Sequence, residues 1–364
     1  MRQGYLTLLI GVLFCLTVVH SQQSFAERKS DCRISFGAVL PLSGEGADWG
    51  RNTQQGIDLA IAEENAAGGV RGCMLKMIYE DSPSARPDSA LRAYRKLVSS
   101  DGVKFVLGFL NQDEAQAVGP LFTRDGVLVV STYTTGKVSE NMTSVVMDPL
   151  AEAVQLADYV FARHKSVAIL ASDSAWDHTF AVAFSQHFEK LGGKVLVTEE
   201  PSFSTTEVQP YVLRAVKSKP QAIVLPTYYL FAAYQRELSR LQYSGVRYSA
   251  EVDQGLIDTS AGAAEGTIYL GYAQPSPDFS KAYQLKYQVM PDIPAANFYD
   301  GVKLLVKSLR ESDGSVAGAK SYLAKLKEYK GASGTLRFDD GITVLDTAMY
   351  LVKDGKSEVM AGEP

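Results

Sequence analysis

The chain reads as an α/β protein made of two parallel-sheet lobes, and three observations lead there. Apolar runs of strand length alternate with amphipathic stretches of helix length from residue 33 onward. Residues 33–65 form the clearest unit, a strand, a glycine-rich turn and a helix. The alternation then restarts near residue 149 with apolar runs of its own, enough for a second core.

In the first unit, ISFGAVL is a mostly apolar strand stopped by Pro41. Ser43, Gly44, Gly46 and Gly50 make the turn, and a helix is expected from Asn52 or Thr53, either of which can cap it. MLKMIYED is the second strand, RPDSALRAYRKLVSSDG a helix with a glycine stop, and VKFVLGF the third strand. NQDEAQAVGPLFTRDG is a helix, GVLVVS the fourth strand, and KVSENMTSVVMD an irregular connection. The sequon Asn141-Met142-Thr143 in that connection reads as plain loop.

The second set runs LAEAVQLADYVFARH, SVAILASD, SAWDHTFAVAFSQHFEKLGG, KVLVTEE, VQPYVLRAVKSK, AIVLPTY and LFAAYQRELSRLQYSG, alternately helix and strand. TIYLGYAQ is a further strand. FSKAYQLKYQVM, ANFYDGVKLLVKSLRE and AGAKSYLAKLKEYKG are expected helices, and GTLRFDDG with DTAMYLVKDGK an expected strand pair. No convincing repeat relates the two lobes.

Residues 1–26 read as a secretory signal peptide. Arg2 precedes an apolar run of about 14 residues, too short to span a bilayer, and Ser24-Phe25-Ala26 offers a cleavage site. Phe14 stands where a lipobox needs a small residue before Cys15, so no lipid anchor is expected. Loss of Arg2 would leave 35 basic against 41 acidic residues. A mildly acidic chain without a basic cluster is a poor partner for nucleic acid. Cys32 and Cys73 each precede one of the first two strands, which lie side by side in a parallel sheet. Export favours oxidation, so a disulfide is expected, with two buried free thiols as the alternative.

Little in the chain points to catalysis. Gly44-x-Gly46-x-x-x-Gly50 misses the dinucleotide fingerprint by one residue. His164, His178 and His187 lack metal-site spacing, and neither a CxxC nor a GxSxG motif occurs. No enzyme activity, metal or cofactor is expected. Asn111-x-x-Glu114 has the spacing of a capping box, with Asp113 in the first turn of the same helix.

PLSGEGADWG, NAAGGVRG, MLKMIYED, VKFVLGF, GVLVVSTYTT, ANFYDGVKLLVKSL and GTLRFDDG occur in this order along nearly the whole mature chain. Together they resemble the substrate-binding proteins of branched-chain amino-acid ABC importers, which have the type I periplasmic binding protein fold. The resemblance implies two lobes that the chain crosses three times, here near Asp148, Gln274 and Asp340. It places residues 33–148 and 275–340 in the N-terminal lobe and residues 149–274 and 341–358 in the C-terminal lobe.

In that family a ligand is held between the lobes. The resemblance puts Trp49 in the first turn, Gln112 where a serine is usual, and Tyr133, Thr134 and Thr135 in a small-small-threonine run. Trp176, Tyr228 and Tyr229 are the aromatics of the second lobe, Asp253 matches the acid, and Phe298 is a further candidate. Trp49 and Trp176 also follow the first strand of each lobe, where loops face a cleft. Gln112 and the neighbouring acids disfavour a copy of a leucine-type site.

The implied function is a periplasmic solute-binding protein. It captures a small polar ligand, an amino acid, amide or related compound, and delivers it to the permease subunits of an ABC importer. A ligand-sensing protein that signals to a membrane receptor is the alternative. The mature chain is expected to be a periplasmic monomer that does not insert into the membrane.

Overall fold

The computed structural model describes residues 32–44, 46–83, 86–131, 138–339 and 342–360. The leader, Tyr133, Thr134 and Thr135, and the crossing expected at Asp340 lie outside them.

The first sheet holds β1 (Arg33–Leu40), β2 (Met74–Asp81), β3 (Phe105–Gly108), β4 (Leu128–Ser131) and β5 (Met142–Ser144). Their order is β2-β1-β3-β4-β5, and each neighbouring pair is parallel. Its connecting helices are α1 (Ala47–Ala66), α2 (Pro87–Arg95), which continues as a π turn over Lys96–Ser100, and α3 (Gln112–Asp125). β5 falls in the stretch expected to be irregular.

Helix α1 starts earlier than Asn52. Gly46, at φ 80°, turns the chain directly into the helix. Gly50 then packs so closely on the end of β1 that an added Cβ would lie 1.9 Å from the Pro41 carbonyl oxygen. Thr53 caps nothing, because its hydroxyl donates to the Trp49 carbonyl one turn back. Trp49 therefore lies in the first turn of α1 rather than in a loop.

The second lobe alternates α4 (Pro149–Arg163), β6 (Ser166–Leu170), α5 (Ala175–Lys190), β7 (Lys194–Glu199), α6 (Gln209–Lys217), β8 (Ala222–Leu225), α7 (Phe231–Arg240), β9 (Val246–Ala250), α8 (Gln254–Thr259) and β10 (Ile268–Tyr272). The chain then runs through α9 (Pro277–Tyr287), α10 (Ile293–Glu311), α11 (Val316–Lys325), β11 (Glu328–Gly331), β12 (Gly334–Asp339) and β13 (Ile342–Val344). It ends in β14 (Thr347–Lys353) and β15 (Lys356–Val359). The second sheet has the order β15-β14-β10-β9-β8-β6-β7.

Two expectations near the C-terminus are corrected. GTLRFDDG and DTAMYLVKDGK do not pair with each other. β12 pairs with β11 and β13, whereas β14 adds antiparallel to β10 and pairs with β15. The chain leaves one sheet for the other between them, so short sequence separation does not become pairing. AGAKSYLAKLKEYKG is likewise not one helix, since α11 ends at Lys325 and Glu328–Gly331 is a strand.

Successive strand residues point to opposite faces, and the cores follow that alternation. Phe36, Ala38, Leu107 and Val130 pack on one face of the first sheet with Phe298, Val302, Leu305 and Leu309 of α10. Val39, Val106 and Val129 pack on the other with Tyr94 and Phe122. The second sheet is covered in the same way, by Leu156, Phe180 and Phe184 on one face and Val212, Phe231 and Tyr234 on the other. Cys32 and Cys73 form the expected disulfide at the entry to β1 and β2, with Cα atoms 4.7 Å apart. No helix among the described residues is long and apolar enough to cross a membrane.

Candidate functional site

Parallel strands of both lobes end at a common cleft, where open α/β sheets place ligand sites. From the first lobe come Trp49 in α1, and Leu110, Asn111, Gln112 and Asp113 between β3 and the first turn of α3. From the second come Ser174, Trp176 and Asp177 after β6, Tyr228 and Tyr229 after β8, and Ala250 and Glu251 at the end of β9. With Gly46 these residues enclose a cavity of about 50 Å³.

The chain turns sharply at two of these strand ends. Phe109 after β3 has φ 59° and Glu251 after β9 has φ 52°, left-handed conformations that side chains of this size rarely adopt. Asn111 is the N-cap residue of α3, but its side chain does not cap that helix. Its Oδ1 accepts a 2.9 Å hydrogen bond from the Tyr229 hydroxyl of the other lobe. Gln112 Nε2 donates to Thr179 Oγ1 at 3.2 Å, and the Trp49 and Tyr228 rings lie 4.9 Å apart. These contacts join the lobes around the cavity.

The second lobe fixes its aromatic wall locally. Ser174 caps α5 by accepting from the Asp177 N–H. That start aims Trp176 at the cavity, with its ring 5.1 Å from Phe180. The Trp176 indole N–H is buried and meets no acceptor among the described residues. Tyr228 and Tyr229 stand edge to face at 5.7 Å, and Phe203 backs Tyr229 at 5.1 Å.

The acids are the main polar feature. Burial pushes the Asp177 carboxyl up to about 7, against hydrogen bonds from Ser172, Thr227 and Ser174. The Ser172 hydroxyl donates to it at 2.5 Å. Glu251 accepts from the Tyr272 hydroxyl of β10. Glu152, in the first turn of α4, lies against Glu251, and burial followed by the Glu251 charge holds its carboxyl well above the usual range. Glu114 stands outside the cavity, where burial pushes it to about 8 despite the Arg86 N–H and the Ser82 hydroxyl.

Trp49, Gln112, Trp176, Tyr228 and Tyr229 thus line one cavity. Asp253 does not line it. Asp253 caps α8, accepting from the Leu256 N–H at 2.7 Å, and burial raises it to about 6 while that N–H and the Trp49 indole pull the other way. The acid of this segment that lines the cavity is Glu251, two residues earlier. Phe298 is fully buried in the core of the first lobe. Tyr133, Thr134 and Thr135 fall outside the described residues. Sequence reasoning missed Glu251 and Glu152, and the signal for Glu251 was its place directly after the apolar end of a strand.

A family model described as periplasmic binding protein matches residues 33–357. Leu/Ile/Val-binding protein homolog 3 of Brucella melitensis is 26% identical, covering 92% of this chain and 93% of its own. A solved structure of the branched-chain amino acid transporter substrate binding protein LivJ from Streptococcus pneumoniae, in complex with isoleucine, superposes with a TM-score of 0.81 at 24% identity. It covers 90% of this chain and 99% of its own. An ABC-transporter solute binding protein from R. palustris, in complex with 4-hydroxybenzoate, gives a TM-score of 0.79 at 22% identity over 91% and 98% of the two chains.

Proposed function

Because the chain belongs to the periplasmic binding protein family, we propose that its cleft captures a small polar solute, an amino acid, amide or related amine, for delivery to an ABC importer. The observation that carries this reading is the cavity itself. It draws aromatic rings and polar side chains from the strand ends of both lobes, and the lobes meet around it. Aromatic walls supply burial, a few polar groups set orientation, and hinge motion admits the solute. The lobes divide at 148/149, at 274/275 and between β13 and β14 rather than at 340/341, because β13 still pairs with β12 and β14 joins β10; the mature protein is a periplasmic monomer that docks on permease subunits. Relatives and solved structures that serve ABC transporters favour transport over sensing.

A thermal-shift screen over amino acids, amides, amines and small aromatic acids tests the reading. A solute that binds only the folded protein raises its melting temperature. Trp49→Ala and Trp176→Ala are each expected to abolish the shift of any hit. A tight ligand indifferent to both substitutions would place binding elsewhere.

A further inference from the structure

Resting on that reading, we propose that the cleft selects a small organic cation without a carboxylate, and that Glu251 and Glu152 receive its ammonium group as one proton-sharing pair. The cation would carry an acceptor atom, as an amino amide or amino alcohol does.

The pair stands on geometry. Glu251 lines the cavity, and Glu152, 1% exposed, lies directly against it. Neither oxygen of Glu152 has a hydrogen-bond donor among the described residues. Two carboxylates cannot bond to each other, but a carboxylic acid and a carboxylate can. One proton held between them satisfies both groups and leaves a single negative charge, matched to one cation. The groups around Glu251 reinforce this. Tyr272 donates to it from β10, and Asp177 from α5 and Asp113 from α3 share its cavity. No Lys, Arg or His is among the described residues that line the cavity.

The other wall suits the same solute. The rings of Trp49, Trp176, Tyr228 and Tyr229 line the space, and an aromatic ring attracts a cation that lies over its face. The buried Trp176 indole N–H, which meets no acceptor among the described residues, needs a neutral acceptor, a hydroxyl or amide oxygen. A free carboxylate would meet Glu251, Asp177 and Asp113 instead.

Cation binding favours the charged form of the pair, so it weakens the pair's hold on its proton. Affinity is therefore expected to rise with pH as the pair loses its proton, with a fraction of a proton released per solute bound.

The test compares alaninamide with alanine, and adds ethanolamine, choline, acetamide and 4-hydroxybenzoate, on the intact mature protein. Titration calorimetry in two buffers of different ionisation enthalpy counts released protons. Alaninamide or an amino alcohol is expected to bind at least about tenfold more tightly than alanine, with proton release. Glu251→Gln is expected to abolish this binding. Glu152→Gln is expected to remove both the proton release and the pH dependence of whatever binding it retains, which a purely structural Glu152 would not do. Alanine binding as tightly as its amide, or hydroxybenzoate binding in place of the cations, overturns the inference and leaves solute capture standing. Proton release unchanged in Glu152→Gln overturns the pair. If no compound of any class binds, solute capture falls as well.

Discussion

The hydroxyl of Tyr229 in the second lobe donates to Oδ1 of Asn111 in the first, 2.9 Å across the cleft. Asn111 sits at the N-terminus of α3, where an Asn commonly caps its own helix. Here that side chain joins the lobes. Helix capping is given up locally, and closure is gained globally.

Tyr229→Phe keeps the ring on Phe203 and removes this interlobe bond. Such a bond contributes about 1 kcal/mol net, so solute affinity is expected to fall about fivefold. The unfolding free energy without solute should fall by at most about the same 1 kcal/mol. Paired calorimetry and denaturant titration check this, and unchanged affinity would show that the bond has no part in closure.

The Cys32–Cys73 bridge closes a loop with a sequence separation of 41. In the chain-entropy model a loop of that size stabilises by about 4 kcal/mol. Cys32→Ser with Cys73→Ser is expected to lose most of that stability while leaving the cleft, at the far ends of the strands, able to bind. Urea unfolding of the oxidised, reduced and double-Ser proteins makes the comparison. Equal midpoints would refute it.

Glu114 gives a pH signature of its own. Burial raises its carboxyl from 4.5 to about 8, so the folded protein keeps this proton where the unfolded chain has lost it. The contribution of this group to stability is therefore full below about 4.5, falls as pH rises, and is lost above about 8. The slope is on the order of 1.4 kcal/mol per pH unit. Glu114→Gln removes it, so the variant should gain on the wild type between pH 5 and pH 8. Parallel melting curves across that range would contradict the assignment.

Asp300 anchors the turn between β11 and β12. It is fully buried and accepts from the Ala332 and Ser333 N–H groups, each at 2.8 Å, and from the Ser333 hydroxyl at 2.6 Å. Asp300→Ala strands those buried donors, and a loss of about 3 kcal/mol is expected. Solute affinity of the folded fraction should stay within about twofold, because Asp300 is not among the residues that line the cleft. A denaturation series with a binding isotherm distinguishes this structural role from a binding one.

The sequence by itself determined what neighbours along the chain decide. Strand and helix periodicity is local, so the alternation and the restart near residue 149 are legible, as is the pairing of Cys32 with Cys73. Trp49, Trp176 and Tyr228 follow strand ends, a position that carries them to the cleft edge, and the family resemblance added Gln112. The tertiary structure decided what depends on contacts between distant segments. β14 joins β10 rather than β12, because the chain changes lobes between β12 and β14. Asn111 meets Tyr229, 118 residues away, instead of its own helix. Glu251, in a left-handed conformation at the end of β9, lines the cavity, while Asp253 caps α8. Glu152 meets Glu251 only because α4 packs beside the end of β9, and hydrophobic burial that far along the chain leaves no periodic trace in either segment.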